Sequence, residues 1–296
     1  MPAHSDSAPR LTRRRFLGAT LGSGLAVTGL VATYAAFIER FRFELNHYRV
    51  PIRDLPGSLE GLRLLHVSDI HHGPLMSRGV VAGVIERAAA VPCDAIVLTG
   101  DYVHGEDSKR ALEWVIPALR TLRAPHGVHA VLGNQDHYAD ATRAKELLSD
   151  LGFARIHTRA AIERDDGRLW IGGTGDLWED QVAIDRLLAG VPDAEPRIVL
   201  AHNPDTADVP WRSRVDLMLS GHTHGGQIHL PLIGAPVLPV ENKRYVNGLI
   251  DTPRTRLFIS KGIGWTVAPV RFNCTPELAL LELTREEARR DPDPAA

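Results

Sequence analysis

The sequence predicts an α/β domain built around a mixed β-sheet. Five short apolar runs are each followed within a few residues by side chains of the metal-ligand type, and helix-like stretches separate the runs. Short apolar runs are typical of buried strands, and the residues after them lie at the carboxyl ends of those strands. Open α/β folds build their ligand sites at that edge. The pattern therefore predicts a polar cluster at one edge of the sheet.

The strand-like runs differ in the residues that follow them. The runs and their following residues are 64–67 with Asp69 and His71, 95–98 with Gly100 and Asp101, 128–132 with Gly133, Asn134, Gln135 and Asp136, 198–200 with His202 and Asn203, and 217–219 with Gly221, His222 and His224. Carboxylate, imidazole and amide groups are hard and borderline donors that suit a pair of divalent or trivalent metals. Each of these short motifs is common by itself, so the prediction depends on the ordered set of five.

Helix-like and further strand-like segments complete the pattern. The helix-like stretches are residues 76–90, 109–122, 141–151, 182–189 and 206–212. The additional strand-like pieces are residues 169–171, 245–250, 256–260 and 278–283. This alternation supports a mixed sheet of the α/β class and nothing finer.

The ordered set resembles the calcineurin-like metallophosphoesterase superfamily. The resemblance covers residues 62–283, and residues 222–228 are similar to a branch of small bacterial enzymes with an N-terminal export or anchor segment. It implies a four-layer αββα sandwich, in which two mixed sheets are flanked by helices. It also implies two metal ions, of manganese, zinc or iron.

The resemblance assigns seven ligands to the two metals. One metal would be held by Asp69, His71, Asp101 and His224, and the other by Asp101, Asn134, His202 and His222. Asp101 would bridge the ions, and a hydroxide between them would be the nucleophile. Asp69, Asp101, Asn134 and His222 are thus expected to act catalytically through the metals. The expected activity is hydrolysis of a phosphodiester, phosphomonoester or pyrophosphate bond.

Glycines stand just before three of these ligands. Gly100, Gly133 and Gly221 are expected to allow a positive φ and a close approach of the backbone to the metals. An ordinary turn glycine is the alternative, and both explanations can hold together.

The third motif departs from the family pattern. Family members commonly carry a histidine after Gly-Asn that protonates or stabilises the leaving oxygen, whereas this chain has Gln135. Asp136 keeps its place without that partner. His137 could take over the role; otherwise the leaving group departs with little protonation, or water serves. General acid catalysis is typically worth ~10²–10⁴-fold, so the change concerns rate and substrate more than metal binding.

Several polar residues are candidates for substrate contact. His104 follows Asp101, and Gln135, Arg78, Lys243 and Arg244 could meet phosphate oxygens. Solvated surface charge is the alternative for the three cations. The proline-rich residues 230–240 predict a rigid loop at the edge of the site.

The N-terminus resembles a bacterial twin-arginine export signal. Residues 12–17 read Thr-Arg-Arg-Arg-Phe-Leu and lead into an uncharged stretch over residues 16–38. At ~1.5 Å per residue that stretch can cross a hydrocarbon core of about 30 Å. We expect residues 1–40 to be a signal or anchor that uses the twin-arginine machinery, 41–284 the catalytic domain and 285–296 a tail. The domain would then face the periplasmic side of the cytoplasmic membrane. Cleavage of the segment, or an N-terminal core helix, are the alternatives.

Composition narrows the function classes. The formal net charge is −2, and no broad basic stripe predicts a nucleic-acid partner. Cys93 and Cys274 are too few for a disulfide framework and are expected to be buried free thiols.

The partner is expected to be a phosphate ester near the membrane. Alternatives are a UDP-diacylglucosamine-type pyrophosphatase, whose cytoplasmic substrate the predicted topology opposes, and a non-catalytic scaffold on the same fold.

Overall fold

Two mixed β-sheets form the centre of the fold in the computed structural model, which describes residues 28–105 and 108–286. The strands are β1 (Glu44–Ile52), β2 (Arg63–Val67), β3 (Ala95–Leu98), β4 (Val128–Ala130), β5 (Arg159–Arg164), β6 (Gly167–Gly173), β7 (Arg197–Leu200), β8 (Leu217–Ser220), β9 (Gly248–Asp251), β10 (Arg256–Ile259) and β11 (Glu277–Arg285). The first sheet has the order β1-β11-β2-β3-β4, and the second has the order β5-β6-β7-β8-β10-β9.

The strands that precede the predicted ligands run parallel within each sheet. In the first sheet β2, β3 and β4 are parallel, and in the second sheet β6, β7, β8 and β10 are parallel. Antiparallel pairing occurs between β11 and β2, between β5 and β6, and between β10 and β9. The carboxyl ends of the parallel strands therefore meet at one edge of each sheet.

The described residues include five helices. They are α1 (residues 28–37), α2 (Arg78–Ala89), α3 (Lys109–Ala118), α4 (Asn134–Asp150) and α5 (Ile184–Leu187), with 3₁₀ turns at Glu39–Phe41, Gly57–Leu59, Leu119–Thr121, Pro204–Asp208 and His224–Gly226. Ser77 caps α2 by accepting a hydrogen bond from the Val80 N–H, as expected of a serine at that position.

Alternating side chains of the second sheet divide the apolar interior into two cores. On β7, Ile198 and Leu200 join the core shared with the first sheet and with α2, α3 and α4. Val199, on the opposite face, joins a smaller core with Ile184 and Leu187 of α5. Because successive strand residues point to opposite faces, each sheet is covered on both sides. The predicted four-layer αββα sandwich is confirmed.

Most predicted elements are present, but two expectations need correction and two strands were not predicted. Helix α4 begins at Asn134 rather than at residue 141, with a break at Asp140, whose side chain accepts a hydrogen bond from the Arg143 N–H. The helix expected at residues 206–212 is a 3₁₀ turn at Pro204–Asp208. Strands β1 and β5 went unpredicted because, at the sheet edges, they carry charged side chains among the apolar ones.

The predicted export motif at residues 12–17 and most of the uncharged stretch 16–38 lie outside the described residues. Among residues 28–105 and 108–286, no helix combines the length and apolarity needed to cross a membrane. At the other end, β11 extends to Arg285, one residue into the segment predicted as a tail, and residues 287–296 lie outside the description.

Candidate metal centre

The loops after β2 and β3 hold each other in register beyond the ends of the strands. The Asp69 N–H donates to the Gly100 carbonyl over 3.1 Å, and the His71 N–H donates to the Asp101 carbonyl over 3.0 Å. A bridge between His72 and Val103 continues this pairing. The first three predicted ligands are therefore positioned by backbone hydrogen bonds between neighbouring loops.

Five of the seven predicted ligands have a left-handed backbone. The φ angles are 54° at Asp69, 49° at His71, 54° at Asp101, 70° at His222 and 53° at His224. Non-glycine residues in this region cost of order 1–3 kcal/mol each and occur where surrounding structure enforces them. The fold thus accepts local strain to aim these side chains inward.

The predicted ligands form two buried groups. Asp69, His71 and His224 make the first half-site, and Asp101, His202 and His222 make the second half-site. Within each half-site the ligand atoms lie within 4.8 Å of one another. Each half-site joins residues from both sheets.

Asp101 reaches both half-sites. Its Oδ2 lies 3.3 Å from His202 Nε2 in the second half-site and 3.4 Å from His71 Nε2 in the first. A single carboxylate oxygen therefore stands between the two groups, as a bridging ligand must.

Two buried oxygen atoms without hydrogen-bond partners indicate that this centre can bind metal ions. Asp69 Oδ2 and Asn134 Oδ1 are buried without a hydrogen-bond partner. Buried polar atoms normally have one, because leaving them unpaired costs about 1–3 kcal/mol. A cation satisfies such oxygens, and a donor set of imidazole, carboxylate and amide suits zinc, manganese or iron.

In the second half-site, backbone carbonyls orient both histidines. His202 donates through Nδ1 to the Thr99 carbonyl over 2.7 Å, and His222 donates through Nε2 to the Pro239 carbonyl over 2.8 Å. The opposite ring nitrogens, His202 Nε2 and His222 Nδ1, face each other at 3.1 Å. A carbonyl accepts only, so the outer nitrogen of each ring carries a hydrogen, and a neutral ring would present the lone pair of its inward nitrogen to a metal.

In the first half-site, the outer nitrogens face other nitrogens. His71 Nε2 and His224 Nε2 are 3.0 Å apart inside the group. Outside it, His71 Nδ1 lies 3.4 Å from His104 Nδ1, and His224 Nδ1 lies 3.4 Å from Arg271 Nη2. Arg271 is fully buried, and its guanidinium also donates to the carbonyls of Lys261 and Gly264. A fixed cation therefore stands behind one ligand of this half-site.

The pKa values of the histidines also differ between the half-sites. Burial lowers the pKa of His202, but Asp101, Asp69 and Asp176 more than offset this and raise it to about 10. Burial lowers the pKa of His71 to about 3, and it lowers that of His224 well below the ordinary range. Without metal, the second half-site therefore holds a proton on His202, while the histidines of the first half-site are neutral.

The glycines before the ligands serve two purposes. Gly100 has the expected positive φ of 92°, but Gly133 has a φ of −106°, and Gly221 is absent from the positive-φ residues of the described chain. A Cβ at Gly133 would collide with Asp101 Oδ1, and one at Gly221 would collide with Asp69 Oδ2. The expectation of positive φ was right at Gly100 and wrong at the other two, where the ligand side chains occupy the space of a Cβ.

Asp136 ties two ligand loops together. Its carboxylate accepts hydrogen bonds from the N–H groups of Asp101, Tyr102 and Gly133 over 2.8–3.0 Å. The side chain expected to lack its partner is thus fully engaged by the backbone, and it fixes the Asp101 loop to the start of α4.

Three polar side chains that the sequence suggested for substrate contact or proton transfer have different surroundings. The Gln135 N–H donates to Asp101 Oδ1 over 2.9 Å, and its side-chain oxygen lies beside Gly105. Next to Gly105, the half-buried His104 contacts His71 with ring centroids 5.4 Å apart. His137 instead lies near Asp176, where it opposes the rise in pKa that burial causes at that carboxyl.

The three cations considered for phosphate binding differ in their surroundings. The Arg78 guanidinium lies over the Trp114 ring, 5.2 Å from its centroid. The Lys243 ammonium donates to the carbonyls of Leu238 and Val240, and Arg244 is exposed. Lys243 therefore braces the proline-rich loop. That loop lies at the edge of the site as predicted, since the Pro239 carbonyl accepts from His222.

Three residues near the centre escaped the sequence interpretation. Trp178 packs edge-on against His222 with ring centroids 4.5 Å apart, and Asp176 and Arg271 lie close to the ligands. Strand β6 ends at Gly173 and is followed by Thr174, Gly175 and Asp176, and this strand-then-Gly-Asp signal resembles Gly100-Asp101. Nothing in the local sequence marks Arg271.

Both cysteines are free, as predicted, although only Cys274 is buried and Cys93 is half-buried. The Cys274 Sγ lies 3.3 Å from the His224 carbonyl, behind the first half-site.

Comparison with known proteins agrees with this geometry. Residues 62–226 match the family described as calcineurin-like phosphoesterase. The uncharacterized metallophosphoesterase YkuE of Bacillus subtilis (strain 168) is 31% identical, covering 93% of this chain and 98% of that protein. Phosphodiesterase YaeI of Escherichia coli (strain K12) is 33% identical, covering 92% and 99%. A transmembrane protein with metallophosphoesterase domain from Danio rerio is 28% identical, covering 88% and 61%.

Proposed function

This chain belongs to the calcineurin-like phosphoesterase family, and from that premise we propose that it hydrolyses phosphodiester bonds with two metal ions. The observation that carries the proposal is the position of Asp101 Oδ2, within 3.4 Å of a histidine nitrogen in each half-site. An oxygen shared between two buried ligand groups is what a dinuclear centre requires.

The two metals would be held by the groups that the fold assembles. Asp69, His71 and His224 would hold one ion, His202 and His222 would hold the other with Asn134, and Asp101 would join both. Bound metals would supply an activated water and offset negative charge on the phosphoryl oxygens. The protein orients these ligands by carbonyl acceptors behind His202 and His222.

Leaving-group departure depends on the loop at the mouth of the centre. Gln135 can donate a hydrogen bond but cannot give up a proton as an acid does. His104 contacts His71 of the first half-site, and His137 lies near Asp176, which is close to His202 of the second half-site. We therefore assign leaving groups that depart with little protonation, such as aryl esters or phosphoanhydrides, as the better substrates.

The choice of a diester is supported by the relatives. The Escherichia coli relative at 33% identity over nearly its whole length is named a phosphodiesterase. A phosphomonoester and a pyrophosphate remain alternative substrates of the same centre.

We place the catalytic domain outside the cytoplasmic membrane, on the strength of the sequence of residues 1–38 alone. The twin arginines precede the uncharged stretch, which keeps that end in the cytoplasm. Protease added to spheroplasts should degrade the domain. A domain that stays intact until the spheroplasts are lysed would contradict export.

The deciding experiment is a side-by-side assay. Metal-free protein is reconstituted with zinc, manganese or iron and given a chromogenic diester and the matching monoester. We expect metal-dependent hydrolysis that favours the diester. Activity that survives chelation, or that occurs on the monoester alone, would overturn the proposal.

A further inference from the structure

An exposed apolar surface borders the metal centre. We name it the apolar rim. Its residues are Phe37, Ile38, Phe41, Leu232, Ile233, Val237 and Val267. Leu232 is fully exposed and Val267 is 94% exposed. Single exposed apolar side chains are ordinary, but a contiguous group marks an interaction surface.

Two members of the rim are held outward by a strained backbone. Leu232 has a φ of 68° and Val267 a φ of 53°. A left-handed conformation is a genuine outlier for a bulky or β-branched residue, and it is expected where the structure requires it. Here it presents an apolar side chain to solvent at the tip of each of two loops.

Direct contacts bring the three segments of the rim to one side of the molecule. Gln227 ties the two loops together, since its side chain donates to the Ala268 carbonyl and accepts from the Thr266 N–H. Helix α1 joins them because the Arg271 N–H donates to the Ala35 carbonyl over 3.1 Å. Phe41 packs edge-on against Trp265, with ring centroids 5.7 Å apart.

The loops that carry the rim also contact ligands of the metal centre. The Pro239 carbonyl, in the same loop as Leu232 and Val237, accepts from His222 of the second half-site. His224, in the first half-site, contacts Arg271, which follows Val267 in the other loop. A surface that covers the rim would therefore lie close to the metal centre.

We infer that the apolar rim docks onto the surface of a lipid bilayer. Apart from the buried Glu39, the segments 28–42, 228–240 and 261–275 contain no acidic residue. The exposed Arg42 pairs with the half-exposed Glu44 over 3.5 Å, and the exposed Glu241 follows the second segment directly, so charge is confined to the border of the rim. Exposed apolar tips without charges among them are suited to the interfacial layer of a bilayer.

The chain outside the described residues points to the same occupant. Residues 1–27 precede α1, and the uncharged stretch that begins at residue 16 continues into it. The apolar stretch thus arrives at the rim. The occupant is a bilayer and not a soluble partner, because an uncharged segment of this length is suited to lipid.

Docking would also define the substrate, a step that rests on the proposed function. With the rim in the headgroup layer, the centre would lie close to phosphate esters at the membrane surface. The favoured substrate would be a lipid-borne phosphodiester and not a free nucleotide.

The test uses the full chain with a polarity-sensitive fluorophore on Leu232→Cys or Val267→Cys. Leu249→Cys, on the exposed edge strand β9, is the control position, and unsubstituted protein measures labelling of Cys93. With vesicles of phosphatidylethanolamine and phosphatidylglycerol, we expect a several-fold rise in emission and a blue shift at 232 and 267, with neither at 249. Unchanged emission at 232 and 267 in vesicle-bound protein would overturn the inference.

Other occupants of the rim give distinct results. Blue-shifted emission at 232 and 267 without vesicles would mean that the N-terminal segment covers the rim. A shift that depends on protein concentration would mean that a second copy covers it. Either result overturns bilayer docking.

A double variant separates docking from catalysis. Leu232→Ser with Val267→Ser should lower hydrolysis of a vesicle-borne phosphodiester at least about tenfold, since two apolar side chains lose their burial in lipid. Hydrolysis of a soluble chromogenic diester should be unchanged. If the unsubstituted protein hydrolyses neither substrate while the labelled cysteine variants still show the emission shift, the proposed function is wrong and docking stands.

Discussion

The two half-sites contain similar residue types but differ in what stands behind them. In the second, His202 and His222 each donate to a backbone carbonyl. In the first, His71 faces the His104 ring and His224 faces the Arg271 guanidinium. Carbonyl acceptors fix a histidine as a neutral ligand and raise its basicity, whereas a cation behind it lowers its basicity.

The difference indicates that the protein can set the metal affinity of two neighbouring sites separately. The second half-site combines fixed tautomers with a pKa of His202 raised to about 10, so a metal must displace a proton there. The first has histidines that are neutral at pH 7, so a metal displaces no proton from them. Four predictions test the roles of the residues in and behind the two half-sites.

The shared carboxylate should matter to both half-sites at once. Asp101→Asn removes the one charge between them, and losing several kcal/mol of Lewis-acid stabilisation corresponds to a rate loss of about 10³-fold. Metal analysis should show less than two equivalents in a folded variant. Wild-type protein that is fully active with one metal equivalent would contradict the shared role.

Restoring an imidazole at the mouth should help poor leaving groups most. Gln135→His should raise rates on alkyl diesters more than on aryl diesters, within the ~10²–10⁴-fold range of a placed general acid. Rates of the unsubstituted protein should fall steeply as leaving-group pKa rises.

His137→Ala is the matched control for that loop. Because Gln135, and not His137, stands directly after Asn134, we expect the variant to keep the leaving-group dependence of the unsubstituted protein. If His137→Ala costs as much as losing an acid and Gln135→His gains nothing, then His137 is the proton donor.

His104 should influence the first half-site alone. Removing a partner behind a metal-bound histidine typically costs about 10–100-fold in metal affinity. His104→Ala should weaken metal binding in His222→Ala protein, which isolates the first half-site. In His71→Ala protein, which isolates the second, it should have no effect. Equal weakening in both backgrounds would show that the half-sites are not independent.

The pH dependence of metal affinity should separate the half-sites. Since the pKa of His202 is about 10, affinity at the second half-site should rise about tenfold per pH unit from pH 7 and level off near pH 10. The pKa of Asp69 is raised by burial to about 6, so affinity at the first half-site should be flat above pH 7. Zinc titrations of the His71→Ala and His222→Ala proteins measure both slopes, and parallel slopes would refute the assignment.

Much of the centre could be predicted from the chain because ligands at the ends of parallel strands share an edge by geometry. Asp69, His71, Asp101, His202, His222 and His224 are all brought together there, although nothing in their spacing shows that two sheets supply them. The four-layer arrangement followed from the family resemblance, because apolar periodicity cannot distinguish one sheet from two packed face to face.

Other features depended on contacts that no local pattern encodes. Arg271 stands 47 residues after His224, and the Thr99 carbonyl precedes His202 by 103 residues. The space that excludes a Cβ at Gly133 is filled by Asp101, and the tips at Leu232 and Val267 meet through Gln227. By itself, the sequence determined the ligand types, the strands that carry them and the uncharged N-terminal stretch. Only the tertiary structure decided what faces the outer nitrogen of each histidine and which apolar side chains remain exposed, because both depend on the packing of segments distant in the chain.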